Sequence, residues 1–172
     1  WINNDYGIGI DTRSGQIEEV IIQREVPNFS QMNIEELFKI ASEWGVGDNV
    51  DRVTAARKKL GERGIEALDF IFKNKIDTES GLEMRAIESV LTENRDSALS
   101  YINKYMNDKR PAVRKNIFRL IGDIELIEIS DSIIGHMSRE KNTQVLRSII
   151  YAAGENNVNR VLNVLIDYLE GE

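Results

Sequence analysis

At 172 residues, 41% of them hydrophobic and 30% charged, the chain is long enough to bury the core of one soluble domain. Its net charge of -7 argues against a nucleic-acid or anionic-membrane surface, because both reward an excess of Lys and Arg. With no cysteine, it has no disulfide staple, thiolate nucleophile or Cys-ligated metal site.

The acidity is unevenly placed. Residues 1–49 hold Arg13, Arg24 and Lys39 against nine carboxylates, whereas residues 50–172 are almost neutral, with 19 basic against 20 acidic residues. No apolar run approaches the roughly 18 residues needed to cross a bilayer, so direct membrane insertion is not expected. No basic-then-apolar signal segment is present, and the chain begins at Trp1 instead of Met. We therefore expect residues upstream that have been removed, either a processed leader of an exported protein or part of a longer chain.

In chain order, Ile8 and Ile10, a Gly-containing turn over 11–16 and the β-branched run Ile17 to Ile22 predict a β-hairpin that ends at Pro27. Asn33 with Glu36 reads as a capping box. Ile34, Leu37, Phe38, Ala41 and Trp44 then give a helical stripe that stops at Gly45. The next start signal is Asp48-Asn49.

From there the sequence repeats. Leu60, Leu91, Ile121 and Ala153 lie 31, 30 and 32 residues apart, and the same offsets align Ala56, Ile87, Ile117 and Ile149, then Leu68, Leu99, Ile129 and Val161. Two further columns have one exception each: Val53, Met84, Arg114, Leu146 and Ile65, Asp96, Leu126, Val158. Breaks at Gly61–Gly64, Thr92–Arg95, Gly122-Asp123 and Gly154–Asn157 split each unit into two helices. Ser80-Gly81-Leu82-Glu83, Pro111 and Thr143 mark unit starts. Self-similarity at this period predicts stacked helical hairpins, none of which can bury its apolar stripe alone. The expected organisation is a β-hairpin plus capping helix over 1–49 and a repeat array over 50–172, with units at about 50–79, 80–109, 110–141 and 142–172.

The third unit carries a Val113-Arg114 start, a Leu120-Ile121-Gly122-Asp123 turn and second-helix aliphatics Ile129, Ile133 and Ile134. It resembles the short HEAT-like repeats first noted in phycobilin lyases. The fourth keeps the pattern more loosely, through Val145, Ile149, Gly154 and Val161. The first two follow by register, with Thr92-Glu93 in place of the turn glycine in the second. Over about residues 50–169 the resemblance implies an all-α fold: a right-handed α-solenoid of about four HEAT-like helical hairpins, with outer first helices and inner second helices.

Enzymes built on such repeats leave traces that this chain lacks. Resemblance to the metal-dependent deoxyhypusine hydroxylases would require several His-Glu pairs, and His136 is the single histidine. Solenoid DNA glycosylases need a basic groove beside aromatics. Trp44, Tyr101 and Tyr105 supply aromatics, but the second helices mix Glu66, Asp69, Glu128, Asp131 and Asp167 with Lys73, Lys104 and Arg160. Gly7-Ile8-Gly9 and Gly45-Val46-Gly47 lack a Walker lysine and a full dinucleotide fingerprint, and Asp48 would repel an anion, so turn glycines are the simpler reading. Adjacent carboxylates at Glu18-Glu19 and Glu35-Glu36 diverge on a strand or helix and read as solvated faces.

No metal, cofactor or catalytic residue is expected. The sequence points to a non-enzymatic protein-binding scaffold. Two residues beyond the second-helix column are Phe70, Tyr101, Asp131 and Asn163, about 200° around the axis, and one turn further lie Asn74, Tyr105, Gly135 and Asp167. Of these, Phe70, Tyr101, Tyr105, Asp131, Asn163 and Asp167 are the candidate binding residues for a protein or peptide partner, with no nucleic acid expected. The alternative is a structural spacer or assembly segment of a larger protein, with a glycosylase-like enzyme a distant third. The last helix carries Val158, Val161, Leu162, Val164, Leu165, Ile166, Tyr168 and Leu169, too many for one buried stripe. That end is therefore expected to meet a further repeat or a second copy.

Overall fold

The computed structural model describes residues 6–10, 20–24, 28–158 and 166. Two compact units divide the chain, Trp1–Gln31 and Met32–Glu172.

In the first unit, β1 (Tyr6–Ile10) pairs antiparallel with β2 (Val20–Arg24), Ile8 opposite Ile22. The turn expected over 11–16 and the strand residues expected at 17–19 lie outside the described residues, which hold the two-strand ladder itself.

From Met32 onward the described residues form no strand and are helical between short turns. The helices are α1 (Ile34–Ala41), α2 (Val50–Gly61), α3 (Ile65–Asn74), α4 (Gly81–Glu93), α5 (Arg95–Tyr105), α6 (Pro111–Asp123), α7 (Ser130–Met137) and α8 (Thr143–Glu155). The boundary between units precedes α1, whereas the sequence reading grouped this helix with the strands. The reason is packing: α1 buries Leu37, Phe38, Ile40 and Ala41 and lies mainly against α2.

Local chemistry explains most helix starts. At α1 the Glu36 N–H donates to Asn33 Oδ1 at 2.9 Å and the Asn33 N–H to Glu36 Oε2 at 3.2 Å, a reciprocal capping box. Ser80 caps α4, but the carboxylate of Glu83 turns away to accept from Thr78 and Lys75. Pro111 occupies the first turn of α6, where its missing N–H costs nothing. Thr143, expected as a cap, is the first helical residue of α8. Asn142 is the cap, because its side-chain oxygen reaches the N–H groups of both Gln144 and Val145.

Two of the three fully apolar columns are buried at every member: Ala56, Ile87, Ile117, Ile149 and Leu60, Leu91, Ile121, Ala153. They line the faces on which α2 meets α4 and α6 meets α8. The second pair approaches very closely. A Cβ on Gly122 would lie 2.6 Å from Tyr151 Cε1 and 3.3 Å from Ala152 Cα, so a hydrogen there is what allows the contact. In the weaker column, Ile65 and Asp96 are exposed and only Leu126 is fully buried, so that column is not a core line.

Arg114 broke the other near-column for a structural reason. Its guanidinium donates twice to Glu140, at 2.8 and 2.9 Å, and also to the carbonyls of Asp108 and Lys109, tying the start of α6 to the turn before α8. The pair is largely shielded, with side-chain exposures of 17% and 9%. The Arg114 hydrogen bonds hold the Glu140 carboxyl below its ordinary value of 4.5.

Helix ends are joined by side chains as well. Asn94 donates to Gly61 O at 2.9 Å and Val90 O at 3.0 Å. Asn156 donates to Ile121 O at 3.2 Å and Ala152 O at 2.8 Å. Each asparagine follows a first helix and satisfies a carbonyl at the C-terminal end of the preceding one. Asn116 makes a comparable tie, from within α6 to Ile76 O and Thr78 O at 2.9 and 2.8 Å.

Two outcomes follow. Asn156→Ala leaves the Ile121 carbonyl buried without this donor and should lower stability by about 1–3 kcal/mol in denaturant unfolding, with Asn94→Ala similar or smaller. Arg114→Leu, which completes the apolar column, should destabilise by about 1–3 kcal/mol because Glu140 loses its cation. Glu140's folded value is depressed, so its contribution is present above 4.5 and fades as pH falls below it; Arg114→Leu should flatten that acid limb of the stability–pH curve.

Candidate interaction surface on the second helices

Helices α3, α5 and α7 carry the aromatic and acidic residues singled out by the sequence. On α3 the ring of Phe70 stands edge-on to Phe38 of α1, with centroids 5.6 Å apart and planes at 61°. On α5, Tyr101 and Tyr105 both lean on Phe72 of α3, at 4.9 and 5.0 Å. Phe72 is fully buried, whereas Phe70, Tyr101 and Tyr105 are half-buried. Asp131 is exposed on α7. Asn163 and Asp167 lie outside the described residues, as do Val161 and most of the expected last helix.

The rows expected to point away from the core therefore sit partly between helices. The buried residues of α5 are Ala98 and Ile102, the column partners of the buried Ala67 and Ile71 of α3, while Leu99, placed in the core column by spacing, is only half-buried. Ring contacts with Phe72 hold Tyr101 and Tyr105 toward α3.

Tyr101 is fixed further by its hydroxyl, which donates to Asp69 Oδ1 at 2.5 Å. That hydrogen bond, then burial and the negative charge of Asp69, push the phenol up to about 12. Lys104 lies 5.3 Å from the centroid of Tyr105. The surface of α5 thus presents two phenol rings tilted against Phe72 and flanked by one carboxylate and one ammonium. Such a group offers apolar contact with polar edges.

Phe72 is the hub that the sequence reading missed. Its signal was present as a helical i, i+4 relation with Leu68, but Phe70 drew attention because it falls in the outward row.

Other candidates resolve into structural roles. His136 Nδ1 is 2.8 Å from Ser132 O and donates to it, and its ring lies 5.4 Å from Phe118. Gly47 adopts φ +54 in the turn before α2, which is the role of a turn glycine. Glu36 is used in the α1 capping box, and Glu18-Glu19 lies outside the described residues. Among the described residues, no cluster of three His, Asp or Glu side chains could hold a metal ion, and no helix is long and apolar enough to cross a membrane.

Comparison of the chain with protein-family models, with curated proteins and with solved structures gives no match.

The phenol of Tyr151, which donates to Asp123 Oδ1 at 2.8 Å, is also pushed up to about 12, chiefly by that bond. Both values are raised, so any contribution of these two hydrogen bonds to stability is complete below the ordinary phenol value of 10 and is lost as pH rises from 10 toward 12. In an absorbance titration, Tyr101 and Tyr151 should ionise near 12. Tyr101→Phe should remove one of these late transitions; loss of an early one instead would contradict the Asp69 bond.

Proposed function

We propose that residues 50–172 form a HEAT-like α-solenoid that acts as a non-enzymatic protein-binding scaffold, with its second helices as the binding face. The observation that carries this reading is the half-exposed pair Tyr101 and Tyr105, stacked on Phe72 and bordered by Asp69 and Lys104. A rigid aromatic surface with polar edges gives large contact area at little entropic cost, because its side chains are already ordered. Support for the repeat architecture comes from the two buried columns and from Asn94 and Asn156, which make the same tie two units apart. The partner is a protein or peptide, approached through Phe70, Tyr101, Tyr105 and Asp131 and continuing toward Asn163 and Asp167.

The test is affinity capture from the source cell with this chain as bait. Replacing both rings by alanine would disturb packing on Phe72, so the variants are Lys104→Glu with Asp131→Lys, both at exposed positions. We expect a wild-type partner to be lost while the melting temperature stays within a few degrees. An unchanged partner set from that variant and from Tyr101→Phe with Tyr105→Phe would overturn the assignment of binding to this face.

A further inference from the structure

Three of the four first helices end on a glycine followed by a carboxylate: Gly61-Glu62 on α2, Gly122-Asp123 on α6 and Gly154-Glu155 on α8, with Thr92-Glu93 at the same register on α4. On α2 and α6 the glycine marks where the following first helix comes close. A Cβ on Gly61 would lie 3.0 Å from Glu93 Cγ of α4, and one on Gly122 would lie 2.6 Å from the Tyr151 ring and 3.3 Å from Ala152 Cα of α8. Where Thr92 holds the position, α4 makes no comparable packing against α6 among the described residues.

The site on α6 holds its neighbour's tyrosine twice over, with the Tyr151 ring against Gly122 and the hydroxyl donating to Asp123 Oδ1 at 2.8 Å. One unit further on, the same parts recur and stand open. Phe118 and Gly122, one turn apart, are buried on α6, whereas their register partners on α8, Ile150 and Gly154, are exposed. Among the described residues nothing lies within 4 Å of a Cβ built on Gly154, and its φ is not positive. Glycine within a helix is worse than alanine unless a left-handed turn or a close neighbour requires it. At Gly122 a neighbour does; at Gly154 no described residue does. Gly135 of α7 is open too, but its register partners Tyr105 and Asn74 supply no filled example of such a site.

We propose that the flank of α8 bearing Ile150, Gly154 and Glu155 docks a helix of a partner protein that carries a tyrosine followed by a small residue. The ring lies over Gly154 and the hydroxyl donates to the Glu155 carboxylate, as Tyr151-Ala152 does at Gly122 and Asp123. This interface continues the α6–α8 packing by one step, and Ile150, one turn before Gly154, adds exposed apolar area to it. A second copy of the chain is a poor source of the ring. Of the tyrosines on described helices, Tyr101 and Tyr105 lean on Phe72 and Tyr151 is held at Gly122. Helix α2, which opens the row of first helices, carries no tyrosine and packs on α1. The site lies on α8 and not on the second helices, so it and the binding face proposed above can fail separately.

The probe is a fluorescent, side-chain-stapled helical peptide of Thr143–Glu155, the helix that fills the equivalent site on α6, titrated with the full chain and followed by anisotropy. Saturable binding is expected, weakened about tenfold or more by Gly154→Leu in the chain. Glu155→Ala in the chain, or Tyr151→Phe in the peptide, should weaken it severalfold through loss of one hydrogen bond. Gly154→Ala should also weaken binding while the melting temperature stays level or rises, which separates docking from folding. Absence of saturable binding overturns the proposal, as does full affinity in Gly154→Leu, the result expected if the peptide displaces α8 from α6. A melting temperature lowered by Gly154→Ala overturns it by showing that the chain's own residues already cover the site. Sedimentation that finds a wild-type dimer abolished by Gly154→Leu assigns the flank to a second copy and overturns it as well.

Discussion

A helix that ends inside a protein leaves carbonyls without partners, and an array of packed helices must dispose of them at every unit. Here Asn94 and Asn156 do so across the helix pair, each donating to its own helix and to the end of the one before it. An asparagine amide has two N–H donors, which is why one residue can serve both carbonyls. Because these bonds link C-terminal end to C-terminal end, they fix how far one first helix slides along the next. With that offset set, Leu60, Leu91, Ile121 and Ala153 all lie buried. Gly122 can then lie against Tyr151 without a clash.

The second helices are held differently. They rely on rings: Phe38 on Phe70, and Phe72 between Tyr101 and Tyr105. Part of each tyrosine is thereby taken up by packing, which leaves both half-buried. For a binding surface this limits the apolar area available and favours rigidity over adaptability. The Tyr101–Asp69 bond has a counterpart on the first helices in Tyr151–Asp123, a tyrosine reaching back to a carboxylate of the preceding helix in each case.

Charge is arranged with similar division of labour. Several arginines close gaps between elements: Arg57 donates to Ala41 O, Arg63 to Met32 O, Arg95 to Ile124 O and Glu125 O, and Arg114 to Glu140 and two carbonyls. Guanidinium suits this work because its several donors can meet a carbonyl and a carboxylate together.

By itself the sequence determined the helical class beyond Met32, the unit period, two of the buried columns and the capping box at Asn33, since each is a matter of spacing or of contacts within one turn. Asn94 and Asn156 also lie at column offsets, yet a polar pair carries no periodic apolar signal and passed unnoticed. Only tertiary structure decided that Ala98 is buried while Leu99 is half-buried, that Phe72 organises the aromatic cluster, and that Arg114 belongs in an apolar column. Those outcomes turn on how tightly two helices are joined and on partners some 25 to 40 residues distant, such as Glu140 for Arg114 and Ile76 for Asn116. A one-dimensional pattern records which residues share a face; the angle at which that face meets its neighbour is set by side-chain volumes and hydrogen bonds on the other helix.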